Sequence, residues 1–376
     1  MVTSLSFKDT LAEVYNFEVE NAHNYYVGDR GYLVHNECRL LDIESAIRGI
    51  DESLIKSHFK GFSDNLMATG ASKESRAAFT EAIMDLGDDT KITSFVKDFA
   101  GASNDDLLSL VNDLNMVESW RLLLDAGRTG GRNAANGLTR NIEAIKALNS
   151  ARLNTNVTRL GITADDLVKI QSYKTDAGSA SFKDIVTDIN KMADNLNSHN
   201  IEVENLNPLI NKFHRTDKFA NKTNKGFHHV IKDLGNDVST FNGNTVTLEF
   251  PITNARGNTS SIDAFCANCD IPNLKIEYKS GPTSISTSSI KDQFIERDLF
   301  NASSLDELQW RMDGTGLTKE KLVDWLTENK SSIRNLGYEK IKGFFPLDNT
   351  INRVNFADKL ISKFQDGSSF YNDIFR

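Results

Sequence analysis

Apolar residues recur three and four positions apart over the first half of the chain, from about residue 40 to residue 200. This spacing predicts a series of amphipathic helices, broken at Gly101, Gly127–Gly131 and Gly161. The run DDLLSLVNDLNMVESWRLLLDAG places these apolar side chains on one helical face: Leu107, Leu110, Val111, Leu114, Val117, Trp120 and Leu124. They are core positions, and we find no chemistry among them.

After about residue 205 the pattern changes to alternating strands and turns. NTVTLEFPI, NTSSIDAFC and NLKIEYKS each predict a strand, with turns at Asn242–Gly243 and at residues 254–258. A helix is expected at about residues 288–300, with N-cap candidates at Ser286–Ser289, and ELQWRM predicts a further strand before a helical tail. The order helix, three strands, helix, strand predicts a small α/β or α+β domain.

Near the N-terminus, Tyr25, Val27, Tyr32 and Val34 flank a turn of residues 28–31 that is bounded by glycines, which predicts a β-hairpin. The hairpin ends at His35 and Asn36. An asparagine amide can attack its own backbone carbonyl and break the next peptide bond, with a neighbouring imidazole as proton donor. His35 and Asn36 are therefore candidates for self-cleavage, the alternative being an ordinary strand end.

The sequences VYNFEVENAHNYYV and GYLVHN resemble the end of Hint domains, the autoprocessing modules of inteins, hedgehog proteins and bacterial polymorphic toxins. The resemblance covers residues 10–36 and implies that His35 and Asn36 form the cleavage locus. The family's N-terminal nucleophile and upstream histidine motif are missing. We therefore expect Met1 to mark a fragment boundary and this chain not to process itself efficiently.

Composition excludes several classes of protein. The net charge of −9 argues against a generally basic nucleic-acid binder, and three cysteines are too few for a disulfide scaffold. We interpret Cys266 and Cys269 in CANC as small residues near a turn, because no second Cys or His pair stands at zinc-finger spacing. The sequence has no long apolar run of membrane-spanning length and no signal peptide, so we expect no stable membrane association.

One segment departs from the acidic average. Between residues 212 and 232, six basic side chains accompany one acid, Asp217. Such a run is either a solvated helix face or a surface for phosphates. For the second alternative, Lys218, Lys222 and Lys225 are the candidate nucleic-acid contacts.

Candidate catalytic residues lie in the predicted strands. Residues two apart in a strand share a face, so Glu277 and Lys279 point the same way, and an antiparallel neighbour carrying Asp263 would add a second carboxylate. Two adjacent carboxylates repel unless a cation lies between them, and hard oxygen ligands favour Mg²⁺ or another divalent cation. Lys279 would then orient or deprotonate a water for attack on a phosphodiester. The alternative is two surface carboxylates with a salt-bridging lysine.

SIDAF, LKIEYKSG and the following helix with Gln293 resemble the PD-(D/E)XK nuclease superfamily over residues 205–345. The resemblance implies a restriction-endonuclease-like core with Asp263 and Glu277 as metal ligands and Lys279 as base or water-orienting group. Gln293 would face the site from the helix. Ile262 stands where the family often has proline, and GFHHVIKDLGND offers no glutamate as a third ligand.

Together these features predict a multidomain α+β chain: a Hint remnant at residues 1–36, an α-helical region at 37–204 and a nuclease domain at 205–376. The resemblance implies a secreted antibacterial toxin that enters the target cytoplasm, cuts DNA or, as second choice, transfer RNA, and has a cognate immunity protein. Two alternatives remain. One is a metal-independent ribonuclease using His228, His229 and Asp233. The other is a non-enzymatic adhesion or delivery module.

Overall fold

The computed structural model describes most of the chain as two compact units, residues 1–114 and residues 115–376. The described residues are 24–27, 32–35, 52–129, 135–170, 181–212, 220–280, 285–313, 317–365 and 370–376. In this part of the chain helices and strands are mixed, as the predicted α+β class requires.

The described residues of the first unit include the predicted hairpin and a group of helices. Strands β1 (Asn24–Val27) and β2 (Tyr32–His35) are antiparallel, with Val27 opposite Tyr32, which confirms the hairpin. The helices are Glu52–Ala68, Lys73–Met84, Asp89–Phe99 and Asn104–Asn112. Their core is rich in aromatic rings, among them the fully buried Phe62, Phe79, Phe95 and Phe99.

The prediction of one continuous apolar face from Leu107 to Leu124 is wrong. The helix that carries Leu107 ends at Asn112, because Asp113 leaves the helical region with φ −136° and ψ 89°. A new helix begins at Asn115, and Leu114 between the two is 36% exposed. Spacing alone cannot reveal such a break, since the apolar positions continue in register across it.

The second unit starts with a group of helices, in which the amphipathic helix Phe182–Ser198 packs on Ile142–Leu153 and Thr155–Arg159. The preceding helices are Asn115–Thr129, Ala135–Leu138, Ile142–Leu153, Thr155–Arg159 and Ala164–Lys169. Helix Phe182–Ser198 begins with a capping box between Ser181 and Asp184. Its buried face repeats every three or four residues: Phe182, Ile185, Val186, Ile189, Met192, Ala193 and Leu196.

A five-stranded mixed sheet follows, in the order β3-β4-β5-β6-β7. The strands are β3 (Glu202–Glu204), β4 (Thr245–Thr253), β5 (Thr259–Cys266), β6 (Leu274–Ser280) and β7 (Leu308–Asp313). The β4–β5 and β5–β6 pairs are antiparallel, whereas β3–β4 and β6–β7 are parallel. The predicted turn at residues 254–258 joins β4 to β5, but Asn242–Gly243 joins a helix to β4 and is not a hairpin turn.

Helices cover both faces of this sheet. Helices Leu206–Lys212, Ala220–Asn236 and Val238–Phe241 precede β4, and Ala220–Asn236 packs on β6. The predicted helix near residues 288–300 begins as Thr287–Ser289, with Ser286 as N-cap, and continues as a π-helix, Ile290–Leu299, on the other face. β6 is buried from Leu274 to Lys279, as a central strand between two helical layers should be.

The C-terminal part completes the layer outside the π-helix. A 3₁₀ turn, Leu305–Glu307, leads into β7, and helices follow at Lys319–Glu328, Lys330–Leu336, Tyr338–Phe344, Phe356–Gln365 and Phe370–Ile374. The last residues return to the edge of β7. There the N–H of Arg376 donates to Trp310 O at 2.9 Å, and Met312 N–H donates to Arg376 O at 2.7 Å. The C-terminus thus pairs with the β7 edge.

The two cysteines of CANC are bonded to each other. Cys266, the last residue of β5, and Cys269, in the turn that follows, form a disulfide, so our interpretation of them as ordinary small residues is wrong. Across the described residues, no helix is long and apolar enough to cross a membrane. β3 lies just ahead of residue 205, so the sheet begins slightly before the predicted nuclease boundary, and the three-domain division stays a prediction.

Candidate active site

The predicted carboxylates meet where β5 and β6 stop pairing. The paired residues end at Ala264 and Ile276, and one further step of this register brings Asp263 to Glu277. Instead of backbone pairing there, Asp263 Oδ2 accepts a hydrogen bond from Tyr278 N–H at 2.8 Å. Strand alternation had predicted this shared face, and the structure brings the two residues together on it.

Lys279 and Gln293 complete the predicted group. Lys279 Nζ donates to Glu277 Oε1 at 2.5 Å and to Gln293 Oε1 at 2.6 Å. Gln293 comes from the π-helix, which lies over this face of the sheet. The Lys279 ammonium also lies 5.0 Å from the centroid of the Trp310 ring, a cation–π contact. All four residues chosen from sequence therefore converge.

A buried network of charged side chains contacts the second carboxylate oxygen of Glu277, Oε2. Arg297, on the π-helix, donates to Glu277 Oε2 at 2.6 Å and to Ser261 O at 3.0 Å. The same guanidinium pairs with Asp298 at 2.6 Å, and Trp310 Nε1 donates to Asp298 Oδ2 at 2.8 Å. Arg297 is 4% exposed, so these charges interact with little screening by water.

The environment of Asp263 disfavours its charge. Burial, and next the negative charge of Glu277, raise the pKa of Asp263 to about 7, although Lys279 and the N–H of Tyr278 act in the opposite direction. The positive charges of Lys279 and Arg297 are already engaged by Glu277 and Asp298. An ionised Asp263 therefore leaves this face with a net negative charge, which a cation would compensate.

Glu249 is a third carboxylate on the same face. It lies on β4, where the register places it opposite Asp263, and its Oε2 accepts a hydrogen bond from Ser261 Oγ at 3.0 Å. Its φ of +51° is a left-handed conformation that costs a non-glycine residue about 1–2 kcal/mol. The negative charge of Glu249 also contributes to raising the pKa of Asp263. We did not predict this third acid from the sequence, because a third ligand was expected on the preceding helix.

The carboxylates of this face fit a Mg²⁺ ion that retains most of its water ligands. Mg²⁺ is usually held by one or two carboxylates together with waters and substrate phosphates. Asp263 and Glu277 provide two carboxylates, and a cation would relieve the unfavourable charge of Asp263. Among the residues that the structure describes, no group of three or more His, Cys, Asp or Glu side chains is placed to hold a metal. Asp263 and Glu277 are the candidate ligands.

No family model, curated protein or solved structure matches this chain. Function must therefore be inferred from the chemistry and geometry of the face that carries Asp263, Glu277 and Lys279. That face unites a carboxylate pair with a lysine whose ammonium is positioned by two side chains, Glu277 and Gln293. Such a set can bind a cation and a phosphate group together.

The histidines of the alternative ribonuclease do not converge. His228 Nε2 lies 2.7 Å from Asp188 Oδ2, whereas His229 Nδ1 lies 3.3 Å from Ser280 Oγ and its ring meets Tyr278 edge-on. Asp233 binds Tyr278 Oη, at 2.6 Å, and Arg311. An acid–base pair needs both groups at one phosphate, and these contacts direct the two rings to different partners.

Several predicted site residues lie outside the described part of the chain. Asn36 and Lys218 belong to ranges that are not described. His35 lies in β2, and Lys222 and Lys225 lie in helix Ala220–Asn236, with only their backbone described. Autocleavage and the basic nucleic-acid surface therefore stay predictions.

Arg297, Asp298 and Trp310 were missed by the sequence reasoning. A signal was present in QFIERDL, where three consecutive charged residues follow Phe294 and Ile295 in a helix expected to pack on the sheet. Charged residues are almost never fully buried unless they are paired. The sequence therefore offered grounds to predict a paired network in this run. In the structure, Glu296, Arg297 and Asp298 are all buried.

Proposed function

We propose that this chain is the toxin-bearing part of a bacterial polymorphic toxin and that residues 205–376 form a Mg²⁺-dependent endonuclease. The observation that carries the proposal is the convergence of Asp263, Glu277, Lys279 and Gln293, which were chosen from spacing and resemblance, on one sheet face. The raised pKa of Asp263, caused by burial and by Glu277, is further support, because it marks a carboxylate that would gain from a cation.

In this proposal each side chain has a distinct task. Asp263 and Glu277 would hold the cation, and the chemistry that a bound cation would supply is polarisation of the phosphodiester and a more acidic water. Lys279 donates hydrogen bonds to the scissile phosphate or to the attacking water, and stabilises the negative charge that develops on the phosphate. Gln293 keeps the Lys279 ammonium at the site by accepting one of its hydrogen bonds.

DNA is the substrate we propose, with transfer RNA as second choice. The producing cell would make an immunity protein against this activity, and the toxin would be secreted and act in the cytoplasm of a competing bacterium. These parts of the proposal rest on the resemblance of residues 10–36 to the end of Hint domains and of residues 205–345 to PD-(D/E)XK nucleases.

The test is to incubate the purified full chain with plasmid DNA and with total RNA, in Mg²⁺ and in EDTA. We expect Mg²⁺-dependent cleavage that Asp263→Asn, Glu277→Gln and Lys279→Ala each reduce by at least about 100-fold, equivalent to roughly 2.7 kcal/mol of transition-state stabilisation. Asp270→Asn is the matched control, because this exposed acid lies in the turn after β5 and should keep wild-type activity.

Other outcomes would favour the alternatives. Cleavage of RNA that survives EDTA would favour the metal-independent ribonuclease. A chain that cuts neither polymer, with or without Mg²⁺, and is not toxic on expression would favour an adhesion or delivery module. Full activity in all three variants would contradict the assignment of this site.

A further inference from the structure

Arg297 is a buried cation next to the candidate site with several hydrogen-bond partners. Its guanidinium donates to a carboxylate on β6, Glu277, to a backbone carbonyl on β5, Ser261 O, and to its own neighbour, Asp298. It therefore ties both strands of the site to the π-helix. A planar guanidinium with fixed donor directions imposes an orientation that a lysine ammonium would not.

Stability alone is a poor explanation for this network. Buried ion pairs cost so much desolvation that apolar replacements are often no less stable, whereas their fixed geometry can specify one arrangement of side chains. An arginine guanidinium stays protonated in proteins, so Arg297 is a permanent cation at Glu277.

The two oxygens of Glu277 have different partners. Lys279 binds Oε1 and Arg297 binds Oε2. Lys279 is also the group that must turn toward a phosphate or a water during the proposed reaction, so it cannot be the constant anchor of Glu277. Arg297 can be that anchor, because its guanidinium also forms an ion pair with Asp298, and Asp298 accepts a hydrogen bond from Trp310 Nε1.

We propose that Arg297 is the positioning residue of this site: together with Asp298 it fixes the carboxylate of Glu277 so that the carboxylate stays in place when Lys279 engages a substrate. The effect of Arg297 on cleavage rests on the proposed nuclease function. Its effect on the position of the Glu277 carboxylate does not. Groups that orient a metal-binding carboxylate typically change metal affinity or activity by roughly 10- to 100-fold when removed.

The structural consequence can be measured without any activity. The protein is labelled with ¹³C at the glutamate carboxyl carbon, and the Glu277 resonance is assigned by its loss in Glu277→Gln. We expect this resonance to move and broaden in Arg297→Gln/Asp298→Asn, because Glu277 then samples several rotamers. The double variant removes both charges and so avoids a lone buried Asp298. Arg297→Lys, which keeps the charge but loses the planar fork, should show a smaller change of the same kind.

Arg256→Gln is the matched control. Arg256 also contacts the π-helix, through Asp292 and Glu296, but it is half exposed and does not touch Glu277. Its loss should leave the Glu277 resonance unchanged. A Glu277 resonance with wild-type position and width in both Arg297 variants would overturn the inference.

The catalytic consequence is a separate readout. In Arg297→Gln/Asp298→Asn we expect the Mg²⁺ concentration for half-maximal cleavage to rise roughly 10- to 100-fold, with the KM for nucleic acid changed less than about twofold. An unchanged Mg²⁺ requirement would overturn the positioning role. A wild-type chain that cleaves neither DNA nor RNA would instead overturn the proposed function, and the carboxyl resonance would still decide whether Arg297 fixes Glu277.

Discussion

His229 is a single side chain whose surroundings make a pH dependence predictable. Burial is the main cause that lowers its pKa, assisted by Lys232 and Arg311, while Asp233 and Asp313 act in the opposite direction. The unfolded chain therefore takes up a proton at this residue more readily than the folded chain does. We therefore expect the folded state to lose stability as the pH falls below the ordinary histidine pKa of about 6.5.

We expect His229→Gln to remove this acid sensitivity while keeping a polar partner for Ser280. Between pH 7 and pH 5 the wild-type free energy of unfolding should fall relative to the variant, by at most about 1.4 kcal/mol per pH unit. Urea unfolding of both proteins at several pH values measures this difference. Parallel pH curves for wild type and variant would contradict the argument.

At the residue scale, sequence predicted the groups that obey simple periodicity. Asp263, Glu277 and Lys279 follow from strand alternation, whereas Gln293 was implied only by the resemblance to the PD-(D/E)XK superfamily. Arg297 and Glu249 could not be placed in this way. The position of Arg297 depends on which face of the π-helix meets β6, and that of Glu249 depends on the β4–β5 register and a left-handed backbone.

Among the elements, two adjacent helices pack unusually closely. A Cβ added to Gly235, near the end of helix Ala220–Asn236, would lie 3.1 Å from Met192 Cα in helix Phe182–Ser198. The contact is with backbone, so it cannot be relieved by moving a flexible side chain. Gly235 thus allows the two helices to approach, and only glycine fits there without a shift.

We expect Gly235→Ala to destabilise the protein by about 1–3 kcal/mol, the usual range for overpacking. Gly226→Ala is a matched control in the same helix, because nothing lies within 4 Å of its added Cβ. That variant should be neutral or more stable by up to about 1 kcal/mol, since alanine is the better helix former. Thermal unfolding distinguishes the two, and equal melting temperatures would refute the close-packing argument.

Element prediction succeeded where each element had a clear start or stop. Ser286 caps the helix after β6, and Gly161 has a φ of +76° just after helix Thr155–Arg159, which terminates it. The π-helical form of Ile290–Leu299 was not predicted, because π-helices are rare and apolar spacing indicates a helix without distinguishing its type. π-Helical turns are often found at functional sites, and this one carries both Gln293 and Arg297.

For the whole molecule, charge poses the main question, since an acidic protein is proposed to bind a polyanion. With a net charge of −9, binding depends on a local basic surface, for which the run around Lys218, Lys222 and Lys225 is the candidate. Replacing these three lysines by Glu should weaken nucleic-acid binding. The slope of log K against log salt is negative, and the variant should make it shallower by roughly 0.9 for each phosphate that is no longer neutralised.

Fluorescence anisotropy at several salt concentrations, in an Asp263→Asn background that prevents cleavage, measures this slope. The control replaces Lys319, Lys321 and Lys359 by Glu, which changes the net charge equally but at helices of the C-terminal part. Equal slopes for the two triple variants would mean that the basic run is only a solvated helix face.

Release of the proposed toxin region would depend on the end of the β1–β2 hairpin. If His35 and Asn36 end a Hint domain, a longer chain that carries that family's upstream half should cleave itself after Asn36 and release a product starting at Glu37. Asn36→Ala should abolish this cleavage, because alanine has no amide to cyclise, and His35→Ala should slow it by removing the proton donor. Intact-mass measurement identifies the product. Cleavage that persists in Asn36→Ala, or a product beginning elsewhere, would leave the hairpin as an ordinary structural element.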